Sequence, residues 1–144
     1  MFNIVFIGIL ATSAMTLFSF LYEEINSGKF KEPHLLNSLI RHSSSIPLSP
    51  FKNNWLGWFV HYFIGLVFVI TFELVVFYDI LEFSVWNSLL YGIVIGVIGI
   101  IGWNTMFVLN TKPSNLKPKH YYKHLIGAHA VFGITMGLGY MLLG

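Results

Sequence analysis

Four long apolar stretches, separated by polar connections, set the pattern of this chain. They cover residues 2–22, 55–78, 86–109 and 124–143. A helix of about 20 apolar residues spans the hydrocarbon core of a bilayer, and within lipid its backbone groups must be bonded inside the segment. The pattern therefore predicts an all-α integral membrane protein, with a single domain of four transmembrane helices over residues 1–144. The first stretch lacks both a basic segment before it and a small-residue cleavage site after it, which favours a retained helix over a signal peptide.

Glycines recur at helical spacing in the third stretch, residues 86–109, which carries no charge. They are Gly92, Gly96, Gly99 and Gly102. Spacings of four and three place them on one face of a helix, where small residues let a second helix approach closely in lipid. We expect this stretch to be the central helix against which the others pack. In the fourth stretch, Gly133 and Gly137 are expected to serve the same packing.

The connections differ in length and in their own structure. The long first connection, residues 23–54, contains Pro33, a residue typical of the first turn of a helix. A helix beginning there would carry Leu35, Leu36, Leu39 and Ile40 on one face. Such a helix is expected to lie on the bilayer surface, and a regulatory or partner-binding helix is the alternative. The second connection is short, so the second and third spans should form an antiparallel hairpin.

Basic residues occur only in the first and third connections, residues 23–54 and 110–123, which hold all eight Lys and Arg. With four spans these connections share one side of the membrane, and the positive-inside rule places them in the cytoplasm with both termini outside. The chain is 56% hydrophobic and only 10% charged, which excludes an ordinary soluble domain. The net charge is only +2, and membrane topology already explains where the basic residues lie. The charge therefore gives no reason to expect a nucleic-acid partner. There is no cysteine, so disulfides and thiolate ligands are excluded.

Two short segments recur in the two halves of the chain. Residues 8–15 align with 99–106, and the His-x-x-x-Gly segment 61–65 aligns with 129–133. Two hairpins of the same topology predict a parallel 2+2 repeat about a pseudo-twofold axis along the membrane normal. The layout resembles small four-helix bacterial inner-membrane proteins of uncharacterised function that carry a repeated His-x-x-x-Gly helix hairpin. That resemblance implies the fold and an inner-membrane location, and little chemistry.

Two histidines lie inside spans at repeat-related positions, His61 and His129. Ionisable residues within a membrane helix are rare and often functional. Met15 and Met106 should lie at a similar depth, so all four side chains are expected to converge inside the bundle. The alternatives are structural histidines, a proton- or ligand-binding pair, axial ligands of haem, or a copper site formed with the two thioethers.

Four further residues are weaker candidates. His120 and His124 have the i, i+4 spacing of a metal-binding pair, although an interfacial position is the simpler interpretation. Glu73 is the only acid within a span. We expect it to be either a proton carrier or an interfacial carboxylate near Asp79. Asn104 either binds a ligand or bonds between helices.

These patterns leave three functional hypotheses. The first is a non-enzymatic membrane protein that works by packing against lipid, a second copy of itself or a membrane-protein partner. The second is a small transporter or channel that uses the intramembrane histidines and Glu73. The third is a haem- or metal-binding membrane subunit that uses His61 and His129.

Overall fold

Five α-helices make up the computed structural model, which describes residues 2–26, 30–43, 48–51, 54–109 and 118–143. They are α1 (Phe2–Asn26), α2 (Glu32–His42), α3 (Trp55–Phe77), α4 (Val85–Leu109) and α5 (Pro118–Leu143). The described part of the chain contains no strand. The helices α1, α3, α4 and α5 are long and apolar enough to cross a membrane. The prediction of an all-α, multi-pass membrane protein is confirmed.

The long helices are neighbours in the order α4, α5, α1, α3. Helix α5 packs along both α4 and α1, α1 packs along both α5 and α3, and α3 touches α4 at few positions. The expectation that residues 86–109 form the central helix is therefore wrong: α4 lies at an edge, and α1 and α5 form the centre. The reason is that the glycine face of α4 packs against one helix only, α5.

Close approach of α4 and α5 depends on glycine in both helices. A Cβ atom on Gly92 would collide with the backbone carbonyl of His129, and one on Gly133 with that of Ser88. A Cβ on Gly137 would lie 2.9 Å from the Ser88 side chain, and one on Gly96 would lie 3.0 Å from Cβ of His129. These four glycines bring the two backbones together without steric conflict.

The other two glycines of the predicted stripe do not serve this packing in the same way. A Cβ on Gly99 would make only ordinary contacts, at 3.5 Å from Cε1 of His129. A Cβ on Gly102 would meet no described atom within 4 Å. The stripe continues past the point where the helices separate, so Gly102 is not a packing residue.

The helix predicted to begin near Pro33 is present as α2, but it does not lie free on a membrane surface. Leu35, Leu36 and Leu39 are buried, and they join a core cluster with Trp103 and other residues of the long helices. Burial of a leucine side chain contributes about 1.5–3 kcal/mol. Helix α2 therefore closes one end of the bundle, where α1 ends and α3 begins, called here the α2 end.

Polar contacts fix α2 against the start of α3. The Asn37 side chain accepts a hydrogen bond from the backbone N–H of Gly57 at 2.9 Å and donates one to the carbonyl of Asn54 at 2.8 Å. A Cβ on Gly57 would collide with the carbonyl of Pro33, so the two backbones touch there. These contacts hold α2 in one position relative to α3.

The turn after α3 ends the helix in a defined geometry. Asp79 has a positive φ of 53°. Its N–H bonds the carbonyl of Val76, and the N–H of Ile80 bonds the carbonyl of Val75, both at 3.1 Å. This pair of bonds is a Schellman motif, which stops α3 and lets the chain return in α4.

The predicted pseudo-twofold repeat stays a prediction. An exact twofold axis would make the α1–α5 interface equivalent to the α3–α4 interface. In the structure the first is extensive and the second is slight. The resulting gap between α3 and α4, called here the α3–α4 seam, positions the site described next.

Candidate functional site

A cavity of about 240 Å³ lies between the helices near the α2 end. All five helices contribute to its wall, which is mostly apolar. The side chains Ile64 and Ile98 border it on either side of the α3–α4 seam and are 40% and 54% exposed. Because exposed apolar side chains of a membrane bundle face lipid, the cavity opens sideways towards the bilayer.

The four side chains singled out in the sequence as convergent all border this cavity. They are His61, His129, Met15 and Met106. Both imidazoles are buried, with 6% of His61 and 5% of His129 exposed. Both histidines therefore face the bundle interior near the two methionines.

The His61 ring has a fixed hydrogen-bond direction. The hydroxyl of Thr16 donates its one proton to the carbonyl of Thr12 at 2.7 Å. It must therefore accept from the ring N–H of His61 at Nε2, which lies 3.0 Å away. In the neutral ring this leaves Nδ1 as an acceptor, and it has no partner among the described residues.

The His129 ring has the opposite tautomer. Its Nδ1 lies 2.9 Å from the carbonyl of Leu125, which can only accept, so Nδ1 carries the proton. The lone pair is then on Nε2, near Gly99 of α4, and this atom has no partner among the described residues. The Phe68 ring packs edge-on against the imidazole, with centroids 6.3 Å apart. Each histidine thus offers one free acceptor nitrogen.

A buried carboxyl group also borders the cavity, and no sequence pattern had indicated it. Glu32, in the first turn of α2, is 2% exposed. The hydroxyl of Ser19 donates to its Oε1 at 2.8 Å, while Oε2 has no partner. Burial raises the pKa of Glu32 to about 8, against a smaller lowering by the bond from Ser19. A glutamate beside Pro33 is typical of any first helical turn, so only the docking of α2 reveals its burial.

Next to Glu32 lies His124, which is buried as well. Its Nε2 is 2.9 Å from Oγ of Ser19 and 3.8 Å from Oε1 of Glu32, while Nδ1 has no partner. In a hydrolase triad the carboxylate bonds the ring nitrogen that faces away from the serine. Here both the serine and the carboxylate lie at the same nitrogen. The arrangement is a buried polar cluster without the geometry of a catalytic triad.

The His120–His124 pair is not brought together as a metal site. His120 is exposed, whereas His124 is 1% exposed and bonded to Ser19. Across the described ranges, no three side chains of His, Asp and Glu are grouped to hold a metal ion. Copper at the two histidines and two methionines stays a prediction from the donor types alone. Haem with His61 and His129 as axial ligands likewise stays a prediction.

Glu73 and Asn104 lie away from the cavity. Glu73 is twelve residues after His61 on the same helix, which is about 18 Å at 1.5 Å per residue. It accepts a hydrogen bond from the Tyr140 hydroxyl beside a second cavity of about 580 Å³ at the opposite end. Asn104 is exposed and accepts from the Tyr122 hydroxyl at 3.1 Å, joining α4 to α5. Neither residue extends the histidine site into a polar path.

The geometry thus gives one buried site, made of Glu32, His61 and His129 on an apolar wall that opens towards lipid. The chain matches no protein-family model, no curated protein and no solved structure, so its function is inferred from this cavity itself.

Proposed function

We propose that this chain is a non-enzymatic binding protein of the bacterial inner membrane, which takes a small amphipathic molecule from the bilayer into the cavity at the α2 end. The sideways opening at the α3–α4 seam supports entry from lipid. The wall combines mostly apolar side chains with a few polar groups, which is the usual composition of a small-molecule site.

The observation that carries this proposal is the pair of free imidazole acceptors. A polar ring buried in an apolar environment without a partner loses free energy. Nδ1 of His61 and Nε2 of His129 are both left without one, on the wall of the same cavity. A ligand with a hydrogen-bond donor in the cavity would satisfy both of them at once.

Location and orientation belong to the same proposal. The confinement of all eight basic residues to two connections supports both termini outside and the α2 end in the cytoplasm. The His-x-x-x-Gly segments at residues 61–65 and 129–133 support a place among the small four-helix bacterial inner-membrane proteins described above.

Binding is tested by calorimetry on the full chain in mild detergent, with two probes of one shape, 2-phenylethanol and 2-phenylethylammonium. We expect saturable one-to-one binding of at least one probe. Gly102→Phe should abolish it, since Gly102 lines the cavity, a Cβ added there meets no described atom within 4 Å, and the ring would fill space that the probe needs. Ile101→Phe is the matched control, because Ile101 is 63% exposed on the outer face of the same helix.

Two results would overturn the proposal. One is the absence of saturable binding of either probe. The other is binding that persists unchanged in Gly102→Phe, which would place the probe elsewhere, in the detergent or on the surface of the bundle.

A further inference from the structure

The carboxyl group of Glu32 has no cationic partner in the described protein. The nearest basic side chain in sequence, Lys31, instead pairs with Glu23 at 3.3 Å between Nζ and Oε1. Contacts to Glu32 come from Ser19 and His124, both at or near Oε1, and Oε2 has none. An ionised carboxylate buried without a partner is strongly destabilising. With His124 neutral, Glu32 is therefore either protonated or neutralised by a positive charge that the protein itself does not supply.

The free polar atoms of the cavity wall share one character. Oε2 of Glu32, Nδ1 of His61 and Nε2 of His129 are hydrogen-bond acceptors when the carboxyl is ionised and the rings are neutral. The hydroxyl of Thr12 can act as donor or acceptor, and the Trp103 indole on the same wall offers a donor N–H. A ligand that satisfies the three acceptors brings donors, and an ammonium group brings three together with a positive charge.

Aromatic rings occupy the apolar part of the same wall, namely Phe68, Trp103 and Phe132. The faces of such rings attract cations, most strongly that of tryptophan, and more so away from water. A buried carboxyl beside aromatic rings distinguishes this cavity from one suited only to a neutral apolar ligand.

We propose, on the basis of the function proposed above, that the ligand is a small amphipathic ammonium ion whose charged group binds Glu32 and whose apolar part lies among the aromatic rings. Entry of the cation displaces the proton of the Glu32 carboxyl group. The bound state then holds a carboxylate and an ammonium ion, and one proton is released to solvent, so charge is conserved within the cavity.

The exchange of a proton for a cation gives binding a definite pH dependence. Burial holds the pKa of Glu32 near 8, so below this pH each binding event must remove a proton. Affinity for the ammonium ion should rise about tenfold per pH unit from pH 6 towards 8 and then level off. An alkylammonium resembles a lysine side chain, with a pKa of about 10.4, and stays charged over this range. The ionisable groups that face Glu32 are His124 and Tyr121 from α5 and Glu23 from α1, with His61 of α3 across the cavity.

The test compares the two calorimetric probes, which differ only in carrying an ammonium or a hydroxyl group. In the unaltered protein at pH 8 we expect at least tenfold tighter binding of 2-phenylethylammonium than of 2-phenylethanol. Glu32→Gln, which keeps an oxygen to accept from Ser19, should remove both this preference and its pH dependence. Glu24→Gln is the matched control, because the Glu24 side chain is 77% exposed.

Proton release is measured on the unaltered protein, by titration at pH 7 in two buffers with different enthalpies of ionisation. We expect close to one proton released for each 2-phenylethylammonium bound and none for 2-phenylethanol. Equal affinities for the two probes, no proton release, or full ammonium binding by Glu32→Gln would overturn the inference. If any of these outcomes is found but 2-phenylethanol still binds saturably, only the ammonium inference is overturned and the proposed binding function is kept. If neither probe binds, both proposals are overturned.

Discussion

Hydrogen bonding at single residues decides what the cavity presents to a ligand. The Thr16 hydroxyl and the Leu125 carbonyl each accept a hydrogen bond from one ring N–H of a histidine, which leaves the other ring nitrogen as an acceptor. The convergence of the two histidines was foreseeable from sequence, since residue spacing along a helix gives depth. Their tautomers were not foreseeable, because each depends on a partner whose geometry only the folded bundle defines.

Replacing Thr16 with valine should lower the stability of the protein more than the same replacement at Thr71. The change keeps the shape of the side chain but leaves the Nε2–H of His61 without an acceptor, which costs about 1–3 kcal/mol when the donor is buried. Thr71→Val is the matched control, since Thr71 is exposed and its hydroxyl donates to the Val67 carbonyl of its own helix. Thermal unfolding in detergent, followed by circular dichroism, checks this. Equal melting temperatures for the two variants would show that the bond between Thr16 and His61 contributes nothing.

At the scale of helices, similar sequence patterns lead to different packing. The glycines of α4 form one stripe in sequence, yet Gly92 touches α5 while Gly102 faces open space. Sequence spacing gives the face of a helix but not the point where its neighbour diverges. The same limit applies to α2, whose leucine face was readable but whose docking, and with it the burial of Glu32, depends on distant contacts at Gly57.

One substitution applied at both ends of the stripe should give opposite results. Gly92→Ala places a methyl group against the carbonyl of His129, and overpacking of this kind costs about 1–3 kcal/mol. Gly102→Ala meets no neighbour and should leave stability unchanged or raise it, since alanine favours a helix by roughly 1 kcal/mol over glycine. Unfolding of the two variants side by side tests the asymmetry. Similar destabilisation of both would mean that α4 packs along its whole glycine face.

Across the whole molecule, the distribution of charge predicts one orientation in the membrane. A fluorescent protein that matures only in the cytoplasm should stay dark when fused after Gly144, because that terminus is expected outside. The same reporter fused after Asn110, within the third connection, should be bright and serves as the control. A bright fusion at Gly144 would reverse the orientation and place the α2 end on the outer side.

The central position of α5 has a consequence for how the protein is made. Helix α1 is synthesised early, yet the neighbour that covers much of it begins only at Pro118. Ile7 lies against Gly139 and Phe18 against Gly127, so these side chains lack their α5 contacts until α5 has left the ribosome. The cavity is likewise incomplete until then, because His129 forms part of its wall. A chain interrupted during translation before α5 would keep the packing of α1 and α2 on α3 but lack both interfaces of α5, and it should therefore be open to membrane proteolysis.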